Sequence, residues 1–62
     1  MKFYILTEKD AKRCQLALQA KIPVTMHGHT EEGKPQIYTG VIQSIREEGF
    51  GLKRRWRVMM RT

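Results

Sequence analysis

Residues 53–61 have the sequence KRRWRVMMR, in which apolar residues recur at every second position from Trp56 to Met60. Trp56, Val58 and Met60 share one parity, and a strand places residues of one parity on the same face. The other parity holds cations and one methionine: Lys53, Arg55, Arg57, Met59 and Arg61. This pattern predicts a last strand with an apolar face toward a core and a basic face away from it.

Two further segments upstream have the composition of strands and are joined by short polar turns. Residues 36–46 alternate around Gly40, which marks either a bulge or a close packing point. Residues 22–29 form the other strand candidate. The segments between the strands, residues 30–35 and 47–51, combine glycine or proline with acidic residues, as turns do. The last three strands are therefore expected to form an antiparallel meander.

A helix is predicted over residues 8–21, which contain no glycine or proline. Thr7 and Asp10 have the spacing of a capping box at its start. Pro23 is expected to end it, because proline restrains the preceding residue to extended geometry. The apolar stripe consists of Ala11, Cys14, Ala17 and Leu18, widened by Leu16 and Ala20.

A short strand over residues 2–6, KFYIL, precedes the helix and completes the predicted order. The expected fold is α+β, β-α-β-β-β, with one helix packed on a small, mostly antiparallel, four-stranded sheet. Residues 1–62 are expected to form a single small domain. A right-handed crossover through the helix would place the first strand parallel to a neighbour, either the second strand or the fourth.

The apolar residues suffice for one modest core, since a chain of this length buries only about 60% of its unfolded surface. A closed substrate cavity of ~300 Å³ would use most of that core, so we expect no enzyme and no cofactor. The residues expected in the core are Phe3, Ile5, Leu6, Leu16, Leu18, Ile22, Val24, Ile37, Val41, Ile42, Ile45, Leu52, Trp56 and Val58.

Cysteine content and hydropathy give expectations about the cellular setting. Cys14 is the single cysteine, so an internal disulfide is not available and a reduced, cytoplasmic protein is expected. No apolar run reaches the ~18 residues of a membrane span. We expect Cys14 to be a small apolar residue of the core.

Charge is distributed unevenly along the chain, whose formal net charge is +6. Residues 53–62 contain five basic residues and no acidic one, whereas residues 23–52 contain two basic and four acidic residues. Along a strand, residues of one parity recur about every 6.6–6.8 Å, close to the distance between successive phosphates of a nucleic-acid strand. This spacing and the phosphate chemistry of arginine favour binding to nucleic acid or another polyanion. The residues predicted to bind it are Lys53, Arg54, Arg55, Arg57 and Arg61, with Lys12 and Arg13 of the helix, and Tyr38 and Phe50 as stacking platforms.

Two alternatives compete with nucleic-acid binding. Cations protect exposed sheet edges from pairing with other chains, and a terminal strand is often an edge. Glutamates such as Glu47 and Glu48 could then neutralise the arginines. The second alternative is a small protein-interaction module or homodimer, which would use Tyr38, Ile42 and Met59 on a partly solvated sheet face.

His27 and His29 form a His-x-His pair on one face of the second predicted strand. Two imidazoles at this spacing can share a metal ion, and Glu31 is the nearest candidate for a third ligand. Three converging ligands are needed for a closed or catalytic site. Two exposed histidines that flank Gly28 are the ordinary alternative, so no metal site is expected. For Tyr38, a tyrosine at the edge of the core is the alternative to a stacking platform, and it is favoured.

Overall fold

Four strands and one α-helix make up residues 1–61, the part of the chain that this computed structural model describes. A strand comes first, the helix follows it, and three strands complete the order, as the sequence predicts. The bounds are β1 (Lys2–Ile5), α1 (Glu8–Ala20), β2 (Pro23–His29), β3 (Pro35–Glu48) and β4 (Arg55–Arg61), with a short 3₁₀ helix (Gly51–Lys53) before β4. The architecture is α+β, with one helix packed on a four-stranded antiparallel sheet.

Both ends of α1 follow local hydrogen-bonding rules. The Thr7 hydroxyl accepts a hydrogen bond from the backbone N–H of Asp10 at 3.2 Å, which confirms the predicted N-cap. Lys21 adopts a left-handed conformation, with φ of 57°, and its N–H donates to the carbonyl of Ala17 at 2.9 Å. The helix therefore ends at Ala20, one residue before the predicted end.

Strand β1 lies antiparallel to both of its neighbours, so the parallel pairing predicted for it is wrong. It pairs with β4 along its length and meets β2 where Tyr4 lies opposite His29, which closes the sheet on itself. This contact joins the end of β1 to the end of β2. The helix leads the chain away from the end of β1, and β2 leads it back. Because α1 and β2 each span about 20 Å, the end of β2 returns to the end of β1.

The core lies between α1 and the face of the sheet that the helix covers, here called the inner face. Trp56, Val58 and Met60 of β4 are buried there, as predicted, and so is the helical stripe that contains Cys14. The buried residues of this cluster are Phe3, Ile5, Ala11, Cys14, Ala17, Met26, Tyr38, Ile42, Trp56, Val58 and Met60. Every strand and the helix contribute to it, so no element can leave without opening the core.

The first half of β3 buries the face opposite to the one predicted. Tyr38 and Ile42 are buried, whereas Ile37 is exposed. The expectation that Tyr38 and Ile42 lie on a solvated face is therefore wrong, whereas the expectation that Ile42 belongs to the core is confirmed. A β-bulge between Ile42 and Ser44 then shifts the register, so that Ile45 packs against the core. One uninterrupted period of two cannot describe both halves of a strand that contains such a bulge.

Gly40 is the close packing point in this strand. A Cβ atom at this position would lie 2.2 Å from the carbonyl oxygen of Arg61 and 2.9 Å from the Cγ of Met60. Only glycine lets the end of β4 approach β3 this closely, so the prediction of a close approach at Gly40 is confirmed.

Several apolar residues that were expected in the core lie at the surface instead. The exposed ones are Leu6, Leu16, Ile22, Ile37 and Leu52. Leu16 lies beside the one helical stripe that the sheet covers, and Leu6, Ile22 and Leu52 lie in the segments that connect the strands and the helix to one another. Ile37 lies on the face of β3 opposite to that of buried Tyr38. Leu18, Val24 and Ile45 occupy the margin, where they are partly buried against the core.

Candidate nucleic-acid interface

Alternation along β1, β4 and the second half of β3 creates a second surface, turned away from α1. Arg57 lies opposite Tyr4 on β1 and opposite Arg46 on β3, which places the three side chains side by side. Met59 lies opposite Lys2 and Ser44 in the same way. We call this surface the outer face, and it consists of Lys2, Tyr4, Ser44, Arg46, Glu48, Arg55, Arg57 and Met59.

An arginine covers the tyrosine of the outer face. The Cζ atom of Arg55 lies 3.9 Å from the centre of the Tyr4 ring, and Tyr4 is only 4% exposed. A guanidinium over an aromatic face is attracted by the electrons of the ring. Tyr4 thus holds Arg55 in a defined position, although the tyrosine does not belong to the core cluster of the inner face.

Glu48 is the acidic residue of the outer face, and two arginines share it. Its carboxylate lies 3.4 Å from Nε of Arg57 and 3.7 Å from Nη2 of Arg55. Within residues 1–61, neither Lys2 nor Arg46 forms an ion pair. The outer face therefore holds four cations and one carboxylate, and it carries a net positive charge.

Arg46 and Arg57 occupy directly opposed positions on adjacent strands. Opposed residues in an antiparallel pair have Cβ atoms about 4.5–5.5 Å apart, and like charges placed there destabilise the sheet. Within residues 1–61, Glu48 pairs with Arg57, and Arg46 has no carboxylate partner. An anion that binds between the two guanidinium groups would remove the repulsion.

The basic row predicted for the last strand is only partly formed. Lys53 lies in the 3₁₀ helix, outside β4, because the chain uses residues 49–54 to turn. Arg55 and Arg57 lie on the outer face, and Arg61 is exposed at the end of β4, opposite Val41. β4 is also paired on both sides, with β1 and β3, so the view of it as a sheet edge is wrong.

The remaining predicted cations lie elsewhere. Arg54 is held by Glu47, with Nη2 at 2.7 Å and Nε at 3.0 Å from the same carboxylate oxygen, and its Cζ lies 4.7 Å from the Trp56 ring. Lys12 and Arg13 are exposed on α1, which packs on the inner face. They therefore belong to the helix layer, whereas the cations of the outer face point away from it.

The two predicted stacking residues have opposite environments. Tyr38 is 5% exposed and stacks on Phe3, with ring centres 4.3 Å apart and planes inclined by 10°. Tyr38 is thus a core residue, and its predicted role as a base-stacking platform is wrong. Phe50 is 89% exposed in the turn before β4. Burial of Tyr38 and Ile42 also removes two of the three residues expected at a dimer interface.

The sequence-based prediction lacks four members of the outer face: Lys2, Tyr4, Ser44 and Arg46. Their own alternation is visible in the sequence, because Lys2 and Tyr4 share a parity in β1. Their meeting with Arg57 depends on which strands are neighbours and on the bulge in β3. Local sequence patterns carry neither kind of information.

The histidine pair and the cysteine have separate environments. His27 is exposed and His29 is partly buried, with an Nδ1 atom that has no hydrogen-bond partner in the described chain. Residues 1–61 contain no group of three or more His, Cys, Asp or Glu side chains that could hold a metal ion. Cys14 is fully buried, as predicted, and burial together with the Asp10 carboxylate raises the pKa of its thiol to about 11.

Comparison with protein-family models, with curated proteins and with solved structures gives no significant match to this chain. No helix of residues 1–61 has both the length and the apolar character needed to cross a membrane. Among the described residues, the outer face has more positive charge than packing requires, and the turn before β4 exposes the large apolar side chains of Phe50 and Leu52.

Proposed function

We propose that the protein binds nucleic acid through the phosphates, using the outer face as a non-specific basic surface. The observation that carries the proposal is the direct opposition of Arg46 and Arg57 on adjacent strands. Repulsion between such a pair lowers the stability of the free protein. A phosphate bound to both arginines would replace this repulsion with attraction to the anion. Each guanidinium can donate two parallel hydrogen bonds to one phosphate.

The spacing of the cations supports a track for successive phosphates. Arg55 and Arg57 are two residues apart on β4, hence about 6.6–6.8 Å apart along the strand. Arg46 adds a neighbour across the ladder, about 4.7–4.9 Å away at the backbone. Glu48 occupies only part of the donor capacity of its two arginines, since each guanidinium has five N–H groups. Contacts to phosphates alone would give affinity without sequence readout.

The first experiment is a titration of labelled duplex and single-stranded DNA of about 12 nucleotides, a length within the range of small binding modules. With about three phosphate contacts, affinity for duplex should fall roughly 40-fold between 50 mM and 200 mM salt. Fluorescence anisotropy measures the affinity at each of the two salt concentrations. Absence of binding at the lower salt concentration would overturn the proposal and turn the search to a protein partner.

A matched pair of double variants separates the outer face from overall charge. Arg46→Gln with Arg57→Gln removes two cations of the outer face, and Lys12→Gln with Arg13→Gln removes two from the helix layer. Both variants have the same net charge, so any effect of the overall field is equal. We expect the first variant to lose at least about tenfold in affinity and the second to lose much less. Equal losses would contradict a role for the outer face, and circular dichroism verifies that both variants fold.

A further inference from the structure

The turn between β3 and β4, residues 49–54, exposes two large apolar side chains from an ordered backbone. Phe50 is 89% exposed and Leu52 is fully exposed. The carbonyl of Phe50 accepts a hydrogen bond from the N–H of Lys53 at 3.2 Å, and that of Gly51 accepts from Arg54 at 3.3 Å. Exposure of these side chains therefore belongs to a defined conformation.

Gly49 fixes the start of this loop. It has a φ of 74°, which side chains rarely allow, and a Cβ atom there would lie 2.4 Å from the carbonyl oxygen of Lys53. The last residue of the loop is anchored as well, because Arg54 is bonded to Glu47 and lies over the buried ring of Trp56. The loop is thus tied to the core at its base while Phe50 extends into solvent.

A groove of about 510 Å³ lies beside the loop and extends from it to Glu48 and Arg55 of the outer face. Its apolar lining comes from Leu6 and Leu52, and its charged lining consists of one acid, Glu48, and the three cations Lys53, Arg54 and Arg55. Arg55 also belongs to the outer face, so the groove and that face share a cation. Phe50 follows Glu48, the partner of Arg55, by two residues, which places the backbones of Phe50 and Arg55 within about 10 Å.

We propose that this loop receives an unpaired base on Phe50, so that the protein prefers single-stranded nucleic acid to duplex. The inference rests on the proposed binding of phosphates by the outer face and adds the class of strand. A base stacked on an aromatic side chain contributes affinity that a duplex cannot supply, because its bases are already stacked on one another. The phosphates that flank the base then meet Arg55 and Arg57.

The position of the cations favours a nucleic-acid strand over an anionic lipid surface, which an apolar tip with flanking cations would also suit. A lipid surface would meet the loop and its nearest cations. The line from Arg55 to Arg57 instead runs away from the tip along β4, as a strand with regularly spaced phosphates requires.

The test compares Phe50→Ala with Ile37→Ala, which truncates a large exposed apolar residue of β3. Phe50→Ala should weaken single-strand binding by about 5- to 150-fold, the range that corresponds to loss of one stacked base, and leave duplex binding unchanged. Ile37→Ala should change neither, and Phe50→Trp should retain the preference. Neither alanine variant removes a buried contact, so both should fold.

A single strand with abasic sites gives an independent check, since it keeps the phosphates and lacks the bases. The natural protein should bind it about as weakly as Phe50→Ala binds the normal strand. The stacking inference is overturned if Phe50→Ala lowers the affinities for single strand and duplex equally, or if it lowers neither of them. The proposed phosphate binding stands in both cases.

Failure of the proposed function itself gives a different result. In that case the variant with Arg46→Gln and Arg57→Gln keeps its affinity for every strand. Binding to vesicles of phosphatidylserine and phosphatidylcholine that depends on Phe50, without binding to single strands, would overturn the inference in favour of a lipid surface.

Discussion

The two faces of β4 are built from alternate residues of one strand, yet they are stabilised in different ways. Trp56, Val58 and Met60 are buried in a core to which the helix and every strand contribute. Arg55 and Arg57, their immediate neighbours, are only partly buried and share one carboxylate, that of Glu48. The inner face is thus fixed by shape, whereas the outer face is fixed by a balance of charges.

This difference shows which face folding requires. On the inner face each side chain fills space that another element also borders, so a change of volume or charge has a direct cost. On the outer face the ion pairs are partly exposed, and pairs of that kind contribute about 0–1 kcal/mol. The outer face can therefore carry more positive charge than folding needs, and the proposed binding of phosphates would use that excess.

The strongest test of this difference between the two faces is to place the same charge on each of them. Val58→Asp puts a carboxylate at a site with 0% exposure, where an unpaired charge costs several kcal/mol. A domain of this length has about 3–9 kcal/mol of stability in total, so this variant should not fold. Met59→Asp, one residue further on, should fold, because its side chain lies beside Lys2 on the outer face.

Chemical denaturation followed by circular dichroism measures both variants. A folded Val58→Asp protein, or a Met59→Asp protein that is equally destabilised, would contradict the division of β4 into two faces.

Cys14 tests whether the inner face is sealed. Burial, with the Asp10 carboxylate as a second cause, raises the pKa of this thiol from 9.0 to about 11. At pH ~8 the reactive thiolate is then about a hundredfold scarcer than in the unfolded chain, so alkylation should be slower by at least that factor. Mass spectrometry measures the rate in native protein and in guanidinium. A Ser44→Cys variant that also carries Cys14→Ala moves the thiol to the outer face and should react rapidly.

The same shift in pKa predicts a dependence of stability on pH. Because the folded state retains the thiol proton, the contribution of Cys14 is fully present below pH 9.0 and is lost as pH rises toward about 11. Cys14→Ala should remove this component, which appears as a smaller fall in stability over that range. Identical pH dependence in the two proteins would show that Cys14 is not protected.

Local rules were sufficient for the elements and for one side of the core. The Thr7 cap, the stripe around Cys14 and the alternation of Trp56, Val58 and Met60 are each visible within a few residues. Such features depend on hydrogen bonds and periods that a short segment determines by itself.

The neighbours of β1 and the register of β3 could not be predicted in the same way. A bulge after Ile42 and the onward course of α1 depend on contacts between distant segments, such as the approach of Gly40 to Arg61. The outer face could not be predicted for the same reason, because Arg46 and Arg57 are adjacent only in this register. The wrong face that the sequence predicts for Tyr38 has the same cause.

Glu48 provides the finest test, since it is the counter-charge that keeps the outer face stable without a ligand. Glu48→Gln removes the carboxylate shared by Arg55 and Arg57 and keeps the shape of the side chain. Because the ion pairs are partly exposed, stability should fall by less than about 1 kcal/mol. Affinity for DNA should rise several-fold, with a steeper dependence on salt by about one phosphate contact.

Glu31→Gln is the matched control for this variant, because it makes the same change of net charge in the exposed turn between β2 and β3. A gain in affinity that is equal in both variants would mean that the whole-molecule field attracts the DNA and that the outer face has no special part. A gain confined to Glu48→Gln, with stability lowered only there, would show that one carboxylate offsets repulsion in the free protein and competes with the phosphate for the same two arginines. Folding and binding would then place opposite demands on the same side of β4, while its inner face serves folding alone.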